Sequence, residues 1–144
     1  HSPISDIAPQ VDMYRAVLRE HGHGDPSVLP MRRDVYLAED PETAWREAGP
    51  VLGWRYNVYE QWGQDKMLAK GDSFSQPFQE LAADRFIIGT PDECIETCLR
   101  YEREMGVTLI IVRLHYVGMS FEAKVRQLRL FGEGVLPHFR GAVR

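Results

Sequence analysis

Residues Val107 to Tyr116 read Val-Thr-Leu-Ile-Ile-Val-Arg-Leu-His-Tyr, the most strand-like run in the chain. Its β-branched core shows no polar alternation before Arg113. A parallel strand covered on both faces has that pattern, because it needs apolar side chains on both sides. Gly106 stops a helix just before it, and Val117-Gly118-Met119 makes a turn just after it. Ser120 then caps a helix that places Phe121, Val125, Leu128 and Phe131 on one face.

Working back from this strand, the same grammar repeats. Arg85 to Gly89 is a short apolar run, and Thr90-Pro91-Asp92-Glu93 is a capping box with proline at the first helical position. The helix that follows carries Cys94, Cys98 and Tyr101. Met31 to Ala38 is strand-like, and Glu39-Asp40-Pro41-Glu42 is an acidic helix start. That helix runs towards Trp62 with a kink expected at Gly49-Pro50. Trp45, Ala48, Leu52, Tyr56 and Tyr59 form a stripe along it, suited to packing on a sheet. Residues 64–84 read as an irregular loop, a candidate lid containing Lys66, Lys70 and Gly71-Asp72-Ser73. A first helix, from about Pro9 to His21, precedes all of this.

Strands separated by helices imply parallel crossovers, and therefore an α/β fold. Two architectures fit the pattern, a doubly wound sheet and part of an eight-stranded barrel. At 144 residues the chain is a single unit, shorter than the roughly 250 residues of a full barrel. A chain that begins at His1 is also expected to be cut, processed or partial.

Composition narrows the function classes. A net charge of −4 with no basic stripe argues against a nucleic-acid surface. No apolar run approaches the roughly 18 residues of a membrane span, and no signal peptide is visible, so the expected location is cytoplasmic. Cys94 and Cys98 lack the neighbours that would complete a metal site and read as buried free thiols. His21 and His23 sit in a turn without a third ligand, and no metal site is expected.

Three segments in order resemble the luciferase-like monooxygenase family. They are Arg33 to Ala44 (RDVYLAEDPETA), Asp84 to Glu93 (DRFIIGTPDE), and Leu109 to Met119 followed by a helix ending Val-Leu-Pro-His-Phe at Val135 to Phe139. The resemblance implies the carboxy-terminal half of a (β/α)8 barrel of the TIM type, supplying about the last three strands and four helices. It also implies an FMN- or deazaflavin-dependent oxidoreductase or monooxygenase acting on a small molecule. The first five strands of such a barrel, with much of its flavin cradle, have no counterpart here. Partnership is therefore expected, either with the missing amino-terminal half or as a homo-oligomer, because bare sheet edges recruit strands. The competing reading is a non-catalytic half-barrel domain that acts through a partner.

Barrel active sites collect at the carboxyl ends of the strands. The expected binding residues are therefore Arg113, His115 and Gly118 at the end of the last strand, Thr90 at a helix start, and Glu39. Arg113 and His115 lie two apart and would share a face of an extended strand, offering a cation and an imidazole to an anion. Backbone N–H groups at Gly89 and Thr90 could receive a phosphate or carboxylate. Glu39 and His115 are the strand-end groups able to move a proton, and neither can be named the catalytic base.

Overall fold

A computed structural model describes residues 2–68, 73–139 and 141. Three parallel strands form one sheet: β1 (Pro30–Leu37), β2 (Phe86–Gly89) and β3 (Leu109–Arg113). The spatial order is β2-β1-β3. The parallel direction agrees with the sequence reading. The order does not follow the chain, since β2 and β3 each pair with β1 and not with one another. In the path from β1 to β2 the chain moves one way across the sheet, and from β2 to β3 it moves back. Right-handed crossovers that reverse direction must lay their helices on opposite faces.

The helices lie accordingly. On one face, α2 (Pro41–Ala48), α3 (Trp54–Gln61) and the short α4 (Phe78–Ala82) cover Tyr36 and Phe86, with Leu52, Tyr56, Phe74 and Leu81 filling that core. On the other, α1 (Ile4–Glu20) and α5 (Pro91–Met105) cover Met31, Val35, Leu37 and Ile87. The carboxy-terminal helical run joins this second core through Val135, Leu130 and Phe131. Helices thus lie against both faces of the three parallel strands.

Local chemistry sets the helix starts as the sequence implies. Asp40 accepts the Thr43 N–H at 2.8 Å, and Ser120 accepts that of Ala123 at 3.1 Å. Thr90 and Glu93 close a reciprocal capping box. At Gly49-Pro50 the helical path does not break. It widens into a π-helical turn over Gly49–Gly53, which accommodates the N–H that Pro50 lacks. Cys94 and Cys98 are free and buried. The Cys98 side chain beside it, together with burial, pushes the Cys94 thiol up.

Three expectations change. Residues 64–84 are not wholly irregular: Gln64–Met67 is a 3-10 turn, and α4 follows with Leu81 and Ala82 buried. Residues 69–72, with Lys70, Gly71 and Asp72, lie outside the described residues. β3 is not covered on both faces, since Leu109 and Ile111 remain 48% and 49% exposed. Helix α6 (Phe121–Arg129) leaves its apolar stripe in solvent as well, with Phe121, Val125 and Leu128 all exposed. The residue it buries is Gln127, fully inaccessible.

Candidate functional site

The strands are staggered, and that stagger shapes the carboxyl end of the sheet. β3 pairs with β1 only from Pro30 to Asp34, whereas β2 pairs with it from Asp34 to Leu37. Among the described residues the β3 side of β1 has no strand to bond with beyond Asp34, yet those backbone groups are buried and must find partners. Two side chains complete the ladder. The Tyr116 hydroxyl lies 2.9 Å from the Val35 carbonyl and 2.6 Å from that of Arg113. The Gln127 amide accepts the Leu37 N–H at 2.7 Å and donates to the Leu37 carbonyl at 2.6 Å. Gln127 thus acts as a peptide group lent by α6.

Asp34, where the two pairings meet, is fully buried. Its carboxylate takes a charge-assisted hydrogen bond from Arg55 on α3. The Arg55 guanidinium also packs on the rings of Tyr56, Tyr59 and Tyr116, at 5.5, 5.9 and 5.6 Å from their centroids. Arg113 reaches the same Tyr116 ring at 5.8 Å. A second network joins Tyr36 of β1, which donates to Glu47 on α2 at 3.0 Å, and Arg126 of α6, which bonds the same carboxylate oxygen. Burial and the Glu47 carboxylate raise the Tyr36 hydroxyl.

The five residues expected from sequence differ in their surroundings. Arg113 is half-buried, whereas His115 is exposed. β3 ends at Arg113, so the alternation that would put His115 on the same face ends there too. Tyr116 is the buried neighbour. Gly118 lies in an open turn at φ +90°, with no atom within 4 Å of the Cβ it lacks. Glu39 is exposed. At Thr90 the helix start is already filled. The Glu93 carboxylate accepts the Thr90 N–H at 2.8 Å, and a Cβ on Gly89 would sit 2.3 Å from that carboxylate. An incoming phosphate would meet Glu93 first.

Two cavities, of about 370 and 250 Å³, are lined by none of the five. The larger lies between Gly49, Gly53, Trp54 and Asn57 on one side and Phe74, Gln76 and Phe78 on the other. The sequence reading missed the Asp34–Arg55 pair. The available signal was Arg33-Asp34 inside a strand destined for burial on both faces, where each charge must find a partner.

Tyr56 has no exposed surface, and burial pushes its hydroxyl up to about 12. A raised tyrosine favours the protonated, folded form, so its contribution is complete below the usual value near 10 and is lost as pH climbs to about 12. That rise corresponds to about 2–3 kcal/mol. Urea unfolding between pH 9 and 12 (an interval set by the usual and shifted values) is expected to show this loss. Tyr56→Phe should flatten the slope, and an unchanged slope would place the alkaline sensitivity elsewhere.

No family model and no curated protein sequence matches the chain. Solved structures do. The monooxygenase RslO1 from Streptomyces bottropensis superposes with a TM-score of 0.73 and 24% identity, covering 96% of this chain and 39% of that one. The oxygenating constituent of 3,6-diketocamphane monooxygenase from the CAM plasmid of Pseudomonas putida gives 0.67 and 18%. That structure is a type II Baeyer-Villiger monooxygenase in complex with FMN, and the match covers 95% of this chain and 41% of it. The chain thus spans about two-fifths of the length of these structures and shares the fold of that part of them.

Proposed function

We propose that this chain is one portion of a flavin-dependent oxidoreductase of the luciferase-like kind, using FMN or a deazaflavin on a small-molecule substrate. The supporting observation is the fold likeness to two monooxygenases over nearly all of this chain but only two-fifths of theirs. In this reading the rest of the enzyme covers surfaces that are bare among the described residues. Among the described residues β3 has neighbours on one side only, its Leu109 and Ile111 are open, and the α6 stripe is uncovered. In this reading a second portion pairs with β3, completes a barrel and supplies most of the flavin cradle. Arg113, at the end of the open-edged strand, contributes a cation to the shared site. His115, Gly118, Thr90 and Glu39 line its rim, and residues 64–84 serve as its lid. Two buried free thiols suit a reducing cytoplasm. No helix among the described residues is long and apolar enough to cross a membrane.

Titrating FMN into the gene product at its natural length, and into this chain, tests the reading. The natural product should bind, and this chain alone should bind at least roughly tenfold more weakly, given how few cradle groups it holds. In the natural product Arg113→Ala should weaken binding by more than Arg129→Ala, since a charge-assisted contact is worth about 1.5–3 kcal/mol and an exposed charge about 0–1. Absence of flavin binding at natural length would overturn the flavin reading. A colourless self-associated species would favour instead the non-catalytic domain, which the scattered placement of the five residues also suits.

A further inference from the structure

The larger cavity, of about 370 Å³, lies between the helical run from Gly49 to Asn57 and the chain from Phe74 to Leu81. Gly49, Gly53 and Asn57 fall four apart and share one helix face. With no side chain on the two glycines, the Phe78 ring packs close to bare backbone. A Cβ added at Gly49 or Gly53 would stand 3.6 or 3.4 Å from it. Phe78 lies edge-on to Trp45 and stacks on Phe86, with centroids 6.1 and 6.3 Å apart. Phe74 packs on Tyr56 at 5.1 Å. These rings make a fixed floor. The rim is open to solvent, since Trp54 is 51% exposed, Asn57 is exposed and Gln76 is half-buried. A molecule entering from solvent can reach all three.

The walls are aromatic, and an aromatic wall is best matched by another ring, offset or edge-on. Asn57 and Gln76 each bring a carboxamide, a group that both donates and accepts. The matching edge of a ligand is an N–H beside a carbonyl, the pattern of a lactam. Because the rings are fixed before any ligand arrives, little ordering opposes binding. The volume falls at the low end of the roughly 300–1,000 Å³ typical of small-molecule sites, which suits two fused rings. The helix facing the cavity is π-helical over Gly49–Gly53, a kind of turn that recurs at functional sites.

We propose that this cavity binds a bicyclic heteroaromatic lactam, its rings against Trp54 and Phe78 and its N–H and carbonyl on Asn57 and Gln76. The site is separate from the flavin reading, since none of the strand-end residues proposed for the flavin lines it.

Carbostyril (the lactam of quinoline), its fully saturated analogue and quinoline itself, each titrated calorimetrically into the gene product at its natural length, provide the test. Carbostyril should bind. The saturated analogue, which keeps the amide edge and loses the rings, should bind roughly tenfold more weakly. Quinoline, which keeps the rings and loses the N–H and carbonyl, should bind roughly fivefold more weakly. Trp54→Ala should weaken carbostyril by roughly tenfold and Asn57→Leu by roughly fivefold. Both positions are exposed, so both variants should melt with the parent. Trp62→Ala, which removes a 69% exposed indole outside the cavity, should change nothing. No binding at millimolar carbostyril, equal affinity for either analogue, or equal loss in Trp62→Ala would each overturn the proposal. Displacement of carbostyril by FMN would make the cavity part of the flavin site and overturn it as a separate one. The proposal stands or falls in this way whether or not the protein binds flavin.

Discussion

Asp34→Ala is expected to destabilise the folded chain by about 3–5 kcal/mol, the cost of leaving one member of a buried ion pair without the other. The Asp34 side chain is wholly inaccessible and that of Arg55 is only 13% exposed, so water cannot replace the lost carboxylate. The freed guanidinium would remain among the rings of Tyr56, Tyr59 and Tyr116, which offset its charge only in part. Denaturant midpoints measure the loss. The double variant Asp34→Ala/Arg55→Met should recover much of it, because removing both charges removes the desolvation problem as well. If the double variant is no more stable than Asp34→Ala, the pair is not the origin of the effect. Added salt should change little, since a buried pair is poorly screened.

Gln127→Leu is expected to cost about 2–6 kcal/mol, because the Leu37 N–H and carbonyl would both lose their partner at roughly 1–3 kcal/mol each. Leucine keeps much of the volume, so packing loss is the smaller part. Hydrogen exchange separates the two effects. The Leu37 amide should be strongly protected in the parent and should exchange much faster in the variant, while the Ala38 amide, bonded to the Gly89 carbonyl at 3.0 Å, stays protected. Retained protection at Leu37 would mean that another group takes over from Gln127. Gln127→Glu is no rescue, since its second oxygen would face the Leu37 carbonyl as acceptor against acceptor.

Both predictions concern residues whose importance the linear pattern hides. Local sequence is enough to specify the three strands, their direction and the capped helices that follow them. Proline after an acidic or hydroxyl cap at Asp40-Pro41 and Thr90-Pro91 starts helices whatever they later pack against, because the cap is satisfied within four residues. The β-branched runs at Phe86-Ile87-Ile88 and Leu109 to Val112 become strands, and the helices between them force parallel pairing. Buried free cysteines and the aromatic stripe of α2 and α3 followed from the same local rules.

Only the tertiary structure decided the strand order, and with it which surfaces are covered. Nothing local distinguishes β1 at the centre from β1 at an edge, yet the central place reverses the crossover and spreads the helices over two faces. Phe121, Val125 and Leu128 have the spacing of a buried stripe and lie exposed, while Gln127, polar by type, is buried, because the short reach of β3 leaves Leu37 in need of a partner. The different burial of Arg113 and His115 has the same origin. Same-face spacing of Arg113 and His115 holds only while the strand lasts, and the strand stops at Arg113, where Tyr116 folds back to bond β1. Periodicity records what each segment prefers. Where a strand ends, and which backbone groups it leaves for side chains to satisfy, depends on contacts between residues some 80 to 90 positions apart, such as Val35 with Tyr116 and Leu37 with Gln127.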